Sequence, residues 1–138
     1  MTWLTYAFVS AGSAALTAIL AKVGVEGVPS TLATAIRTVI ITAFAWAMTT
    51  ALKEHRALSA VSRRSFLFLI LSGLATGVSW LAYFRALQLA PASRVAPIDK
   101  LSLPLTIILA MLFLGESMTW RLGLGVVLMT AGAILTIA

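Results

Sequence analysis

Asp99 and Lys100 stand side by side within an apolar run, RVAPIDKLSLPLTIILAMLFLGES (residues 94–117), with Pro97 and Pro104 on either side of them. An ionisable side chain at the centre of a bilayer costs about 2.5 to 3.5 kcal/mol on insertion scales, so such groups usually face a partner or a wet cavity. Arg37 and Arg85 lie in two other apolar runs. At about 1.5 Å per helical residue, Asp99 and Lys100 fall about 8 to 9 Å below the start of their run, Arg37 about 9 Å below the start of its own, and Arg85 about 4 to 5 Å from the end of its run. Three bases against one acid at related depths would make a shared pocket net positive, suited to an anionic or zwitterionic solute. The competing reading is snorkelling, in which long Lys and Arg stems lift their heads to the interface, or an internal pair such as Asp99 with Arg37. Asp99 has too short a side chain to snorkel far.

The neighbouring residue types add to this pattern. Pro97 and Pro104 are seven residues apart and share nearly one helix face; each removes a backbone donor and disturbs the turn before it. Pro97 also suits a helix start, whereas Pro104, in mid-run, predicts a kink. In SGLATGVSWLAYFRAL (residues 72–87), Gly73 and Gly77 would let a helix approach closely. Trp80, Tyr83 and Phe84 form an aromatic patch at i, i+3, i+4 spacing, able to flank a solute or simply to pack. Trp3, Tyr6 and Trp120 read as interfacial anchors, and Trp46 as core packing. Glu116, after Gly115, is placed to meet Arg121 or the basic loop.

The elements that must position these residues follow from composition. Of 138 residues, 61% are hydrophobic and only 10% charged, against about 25% charged in soluble domains. A soluble core of this size could not hide so much apolar surface, so the chain is expected to be an integral membrane protein. A span needs about 20 apolar residues, and five runs qualify, at residues 3–21, 31–51, 65–88, 94–114 and 119–137. Helices satisfy their own backbone hydrogen bonds in hydrocarbon, which makes the expected fold class an all-α membrane protein of five transmembrane helices. The first run lacks a basic n-region and is read as a retained span. Ser30 is the expected N-cap of the second.

Charge distribution gives orientation and narrows function. The net charge is +6, but Lys53, Arg56, Arg63 and Arg64 lie in one short polar loop. Basic loops stay cytoplasmic, which predicts the N-terminus inside and argues against a nucleic-acid partner. The chain has no cysteine and one histidine, His55, which sits in that loop without a nucleophile or ligand nearby. No phosphate-binding loop, paired carboxylates, metal-ligand cluster or cofactor motif is visible. The sequence therefore predicts no catalytic residue, no metal and no cofactor, and not an enzyme.

The stretch YFRALQLAPASRVAPIDKLSLPLTIILAMLFLGESMTWRLGLGVVLMTAGAILTIA (residues 83–138) resembles the EamA-like domain of the drug/metabolite transporter superfamily. It shares the AL followed by a small-residue connection, the proline-bearing fourth helix ending LFLGE, the short turn and the glycine-rich fifth helix. Arg37 matches a basic position common in such domains, and the likeness spans nearly the whole chain as a single domain over residues 1–138. Most members carry two five-helix halves in inverted orientation around a solute cavity lined by the first, third and fourth helices of each. The resemblance thus implies one half of an inverted-repeat transporter fold, in the small five-span branch, that must pair, most simply as a homodimer. Carried over by position, Trp80, Tyr83, Asp99 and Lys100 fall near the cavity, with Arg37 supplying charge. The Asp99–Lys100 pair departs from the small or apolar residues usual at that point, so substrate class is not inherited. The expected activity is transport of a small polar metabolite by alternating access in the inner membrane of a prokaryote. An inverted pair of identical chains needs both orientations, while the basic loop predicts one; an antiparallel dimer, a parallel one and a second type of chain all stay open. The alternative is a non-transporting accessory subunit whose polar residues bind a partner's helices or lipid headgroups.

Overall fold

The computed structural model describes residues 2–137, and every regular element among them is helical. Two long helices come first, α1 (Trp3–Gly24) and α2 (Ser30–Ala51). The polar loop winds into a 3-10 helix at Glu54–Ala60, after Lys53 in the left-handed region at φ 59°. Then comes α3 (Arg63–Leu89), started by Ser62, whose hydroxyl accepts from the Ser65 N–H at 3.0 Å. The fourth run is a broken rod, α4 (Ala92–Asp99), α5 (Ser102–Leu109) and a π-helical turn at Ala110–Leu114. The last helix is α6 (Trp120–Leu135), capped by Thr119, which accepts from the Leu122 N–H at 3.2 Å.

Four of these stretches are long and apolar enough to cross a membrane: α1, α2, α3 and the composite Ala92–Leu114. The fifth, α6, is apolar but has 16 residues, about 24 Å of rise against a hydrocarbon core of about 30 Å. The expected start of α2 moves by one place. Pro29, not Ser30, precedes the first turn, and no side chain caps it. Proline suits that position because its missing N–H would have no helical acceptor there.

By compactness the chain divides into two units, one formed by residues up to Leu20 together with Leu89 onward, the other by Ala21–Gln88. In the first, α6 packs on α4 and on α5, burying Pro104 and Ala133. In the second, Val25, Phe84 and Leu87 are the buried side chains. Most other large apolar side chains are exposed, as expected of a chain whose solvent is lipid. Trp46, expected in the core, is 51% exposed. The threonines and single arginine of its run are scattered among apolar residues, so the sequence carried little periodicity to say which face would be covered.

Polar side chains inside the helices turn back on the backbone. Thr34, Thr38, Thr49, Thr50, Thr76, Thr106 and Thr130 each donate a hydroxyl to the carbonyl four residues earlier, at 2.6 to 2.9 Å. This hides a donor that hydrocarbon would leave unpaired.

The turn after the fourth run depends on Gly115, at φ 69°. Its N–H and that of Glu116 both converge on the Ala110 carbonyl. A Cβ there would meet nothing within 4 Å, so only backbone strain opposes it. Gly115→Ala is expected to lower stability by about 1 kcal/mol, while Gly12→Ala, in open space on α1, should be neutral or stabilising by up to about 1 kcal/mol. Unfolding midpoints in micelles that move in the same direction for both variants would contradict this account.

Candidate functional site

In the Ala21–Gln88 unit, α2 presents Arg37 to the aromatic patch of α3. The guanidinium carbon lies 3.3 Å from the centroid of Trp80 and 5.7 Å from that of Phe84. Trp80 meets Tyr83 edge-on at 5.6 Å between centroids and Phe84 edge-on at 5.5 Å. Spacing of three and four residues along α3 puts these rings on one face, and edge-to-face contact is what the ring quadrupoles prefer. A cation over an aromatic face gains about 0.5 to 1 kcal/mol when exposed and about 2 or more when desolvated, so the indole offsets part of the cost of holding Arg37 in a membrane helix. The i, i+3, i+4 pattern was legible in the sequence; the side of the patch that Arg37 covers was not.

Asp99 and Lys100 belong to the other unit. Their side chains form an ion pair at 3.2 Å, with the Lys100 side chain 56% and the Asp99 side chain 35% exposed. Adjacent residues on a regular helix point about 100° apart and do not meet. Here they meet at the end of α4, where the helix tightens. The Leu101 N–H bonds to the Ile98 carbonyl at 3.0 Å, and the Leu103 N–H to the Lys100 carbonyl at 3.0 Å. Pro104 explains the position of the break, because it has no N–H to give the Lys100 carbonyl and the Leu103 N–H takes that place. Pro97 is not a helix-start residue; it lies inside α4, near its end.

Arg85 stands apart from Arg37. It is exposed, and its Nη1 donates to Oε1 of Gln88 at 3.2 Å. That fixes the Gln88 amide so that Nε2 donates to the carbonyls of Val28 at 2.6 Å and Val25 at 3.4 Å. Lys22, in the last turn of α1, donates to the Leu87 carbonyl. The end of α3 thereby clamps the connection between α1 and α2, around the buried Val25 and Leu87. Sequence reasoning missed Gln88. The available signal was an amide in the last turn of an apolar helix, with a short glycine-bearing loop elsewhere whose carbonyls had no helical donor. Glu116 forms no ion pair with Arg121 among the described residues; Arg121 instead lies 5.8 Å from the Trp120 ring.

Comparison with known proteins matches the whole chain, residues 1–138, to the EamA-like transporter family. The chain belongs to that family. A relative from Sinorhizobium sp., described as "Uncharacterized transporter in cobO 3'region", is 51% identical over 134 residues, covering 97% of this chain and 95% of the relative. No solved structure matches the chain. Family and helices together make this a multi-pass, all-α membrane protein, and an EamA-like chain points to transport and not to catalysis.

The clamp gives a prediction within the Ala21–Gln88 unit. Gln88→Leu should lower stability by about 1 to 2 kcal/mol, because the Val28 carbonyl loses the donor that Gln88 gives it, while the Val25 carbonyl keeps only the Val28 N–H at 3.3 Å. Deuterium uptake should rise over residues 25–29 and stay unchanged over residues 104–114. Equal uptake in that loop with and without Gln88 would sink the role assigned to it.

Proposed function

We propose that this chain is a half-size secondary transporter that works as an oligomer, most simply a homodimer, and moves a small anionic or zwitterionic metabolite across the inner membrane of a prokaryote by alternating access. Family membership along the whole chain carries the transport reading. The substrate class rests on the residue types: Arg37 and Lys100 supply positive charge, Asp99 holds a substrate amine or exchanges a proton, and Trp80 and Tyr83 flank the solute. Arg37, on its aromatic face, supports this best, because a cation that among the described residues is compensated by rings and not by a carboxylate still has its charge to offer an anion. The break at Lys100 and Leu101 belongs to the same reading, since interrupted membrane helices often border solute sites. The N-terminus is cytoplasmic in at least the copy that obeys the basic loop.

Two experiments test this. Purified protein in liposomes, given an imposed pH gradient and a panel of radiolabelled amino acids and organic acids, should accumulate one class of solute, and Asp99→Asn should reduce that uptake at least about tenfold. Absence of flux for every solute, with Asp99→Asn without effect, would end the reading in favour of an accessory subunit. For orientation, the cysteine-free chain takes single thiols at Ser59 and at Glu26, the latter preferred to Gly27 because Gly27 has φ 72°. Labelling by an impermeant reagent in intact cells at Glu26→Cys alone gives one orientation; labelling at both gives the antiparallel pair.

A further inference from the structure

Arg37 follows Ser30, the start of α2, by seven residues, about 10 Å of helix rise. Its guanidinium carbon is 3.3 Å from the Trp80 centroid. That separation is one ring thickness, so the group lies flat on the indole; tilting it would drive a nitrogen into the ring. Stacking occupies a face of the cation and leaves its five N–H donors directed outward in the guanidinium plane. Among the described residues Arg37 donates no hydrogen bond and pairs with no carboxylate. The side chain is half-buried, so part of it stays uncovered.

The platform beneath it is fixed. Trp80 is held edge-on by Tyr83 and Phe84, and Phe84 is only 2% exposed. An immobilised guanidinium fork matches two coplanar oxygens, the geometry of a carboxylate, and such paired bonds are stronger than neutral ones. The neighbouring walls are rings, which favour an apolar body on the bound molecule over a second charge. Lys100 differs, being a point charge already neutralised by Asp99 at 3.2 Å.

We propose that Arg37, stacked on Trp80, is a two-pronged receptor for the carboxylate of a small organic acid with an apolar body. It gives the transporter reading its substrate class and rests on that reading for its biological meaning, while the binding itself is measured separately. A lipid phosphate offers similar oxygens, so the test includes both sources.

The probe is butyrate, compared with its neutral amide, butyramide, and with butylammonium. The protein carries Trp3→Phe, Trp46→Phe and Trp120→Phe, so that Trp80 is the sole indole emitter, and is held in phospholipid-free micelles. Butyrate should change Trp80 emission saturably, at concentrations at least about tenfold lower than butyramide, with no response to butylammonium. Arg37→Lys should weaken butyrate binding about tenfold or more, since an ammonium lacks the planar fork, and Arg37→Gln should abolish it. Coincident titrations of butyrate and butyramide would overturn the proposal, and that comparison needs no change at Arg37. Unweakened binding by Arg37→Lys would also overturn it. Loss of the response in nanodiscs of anionic phospholipid would assign the fork to a headgroup phosphate and not to a solute. Selective butyrate binding without flux in liposomes would remove transport and keep the receptor; flux without selectivity would do the reverse.

Discussion

A backbone amide left unpaired in hydrocarbon costs several kcal/mol, and the arrangement of this chain follows from avoiding that cost. Helices pair most amides along the runs, and the interruptions are where other groups must step in. At Lys100 and Leu101 the ladder shortens to bonds between residues three apart. At Gly115 and Glu116 two N–H groups share the Ala110 carbonyl. Between α1 and α2, where the turn itself supplies too few donors, Gln88 serves the carbonyls of Val25 and Val28, and at the end of α3 Lys22 serves that of Leu87. The buried side chains of the Ala21–Gln88 unit include Val25 and Leu87, whose carbonyls are among those served. Apolar packing and backbone satisfaction meet at one place.

Charge obeys the same constraint by several routes. Arg37 lies on an aromatic face, and Asp99 with Lys100 forms a locally neutral pair. Arg63 and Arg64 take a third route. They occupy the first turn of α3, where the helix dipole disfavours cations by about 0.3 to 1 kcal/mol each. Helix stability does not explain cations there; bases beside a span are instead the residues that bias which side of a membrane a loop takes. The same loop carries Lys53, just before its 3-10 helix, and Arg56 within it, and both are exposed.

Four of the five expected spans were legible because length and hydropathy decide what can cross a bilayer, and those are properties of sequence; the fifth run forms a shorter apolar helix of 16 residues. The break in the fourth run was legible in kind, since Pro104 cannot donate to Lys100. Its consequence was not, because pairing of adjacent residues requires the helix to tighten at that point. The aromatic patch of α3 could be read from its spacing. Its cover by Arg37 depends on how α2 and α3 pack, which apolar runs with weak periodicity leave undetermined. Trp46 shows the same limit from the other side: on a largely apolar helix, a large ring gives no sign of whether it faces protein or lipid. Gln88 was hidden because a polar residue in a last turn looks like a boundary marker until the carbonyls it serves are known.

Depth connects the clamp to the aromatic site. From Ser65 to Phe84, α3 carries no charge, and this interval spans about 30 Å, the thickness of the hydrocarbon. Arg63 and Arg64 then fall in one headgroup layer and Arg85 in the other, though α3 itself is 27 residues long. Arg85 is thus an interfacial residue, wet enough to stay exposed while it orients Gln88. Trp80 lies five residues nearer the membrane centre, about 7 to 8 Å along the helix, and Arg37 is about 10 Å along α2 from Ser30. A cation at that depth can neither reach headgroup water freely nor sit in full hydrocarbon at low cost. Holding it against an indole is the compromise that depth allows, and because α2 and α3 are tied at this end by the Gln88 contacts to Val25 and Val28, the stack sits beside a braced turn and not at the loose end of a helix.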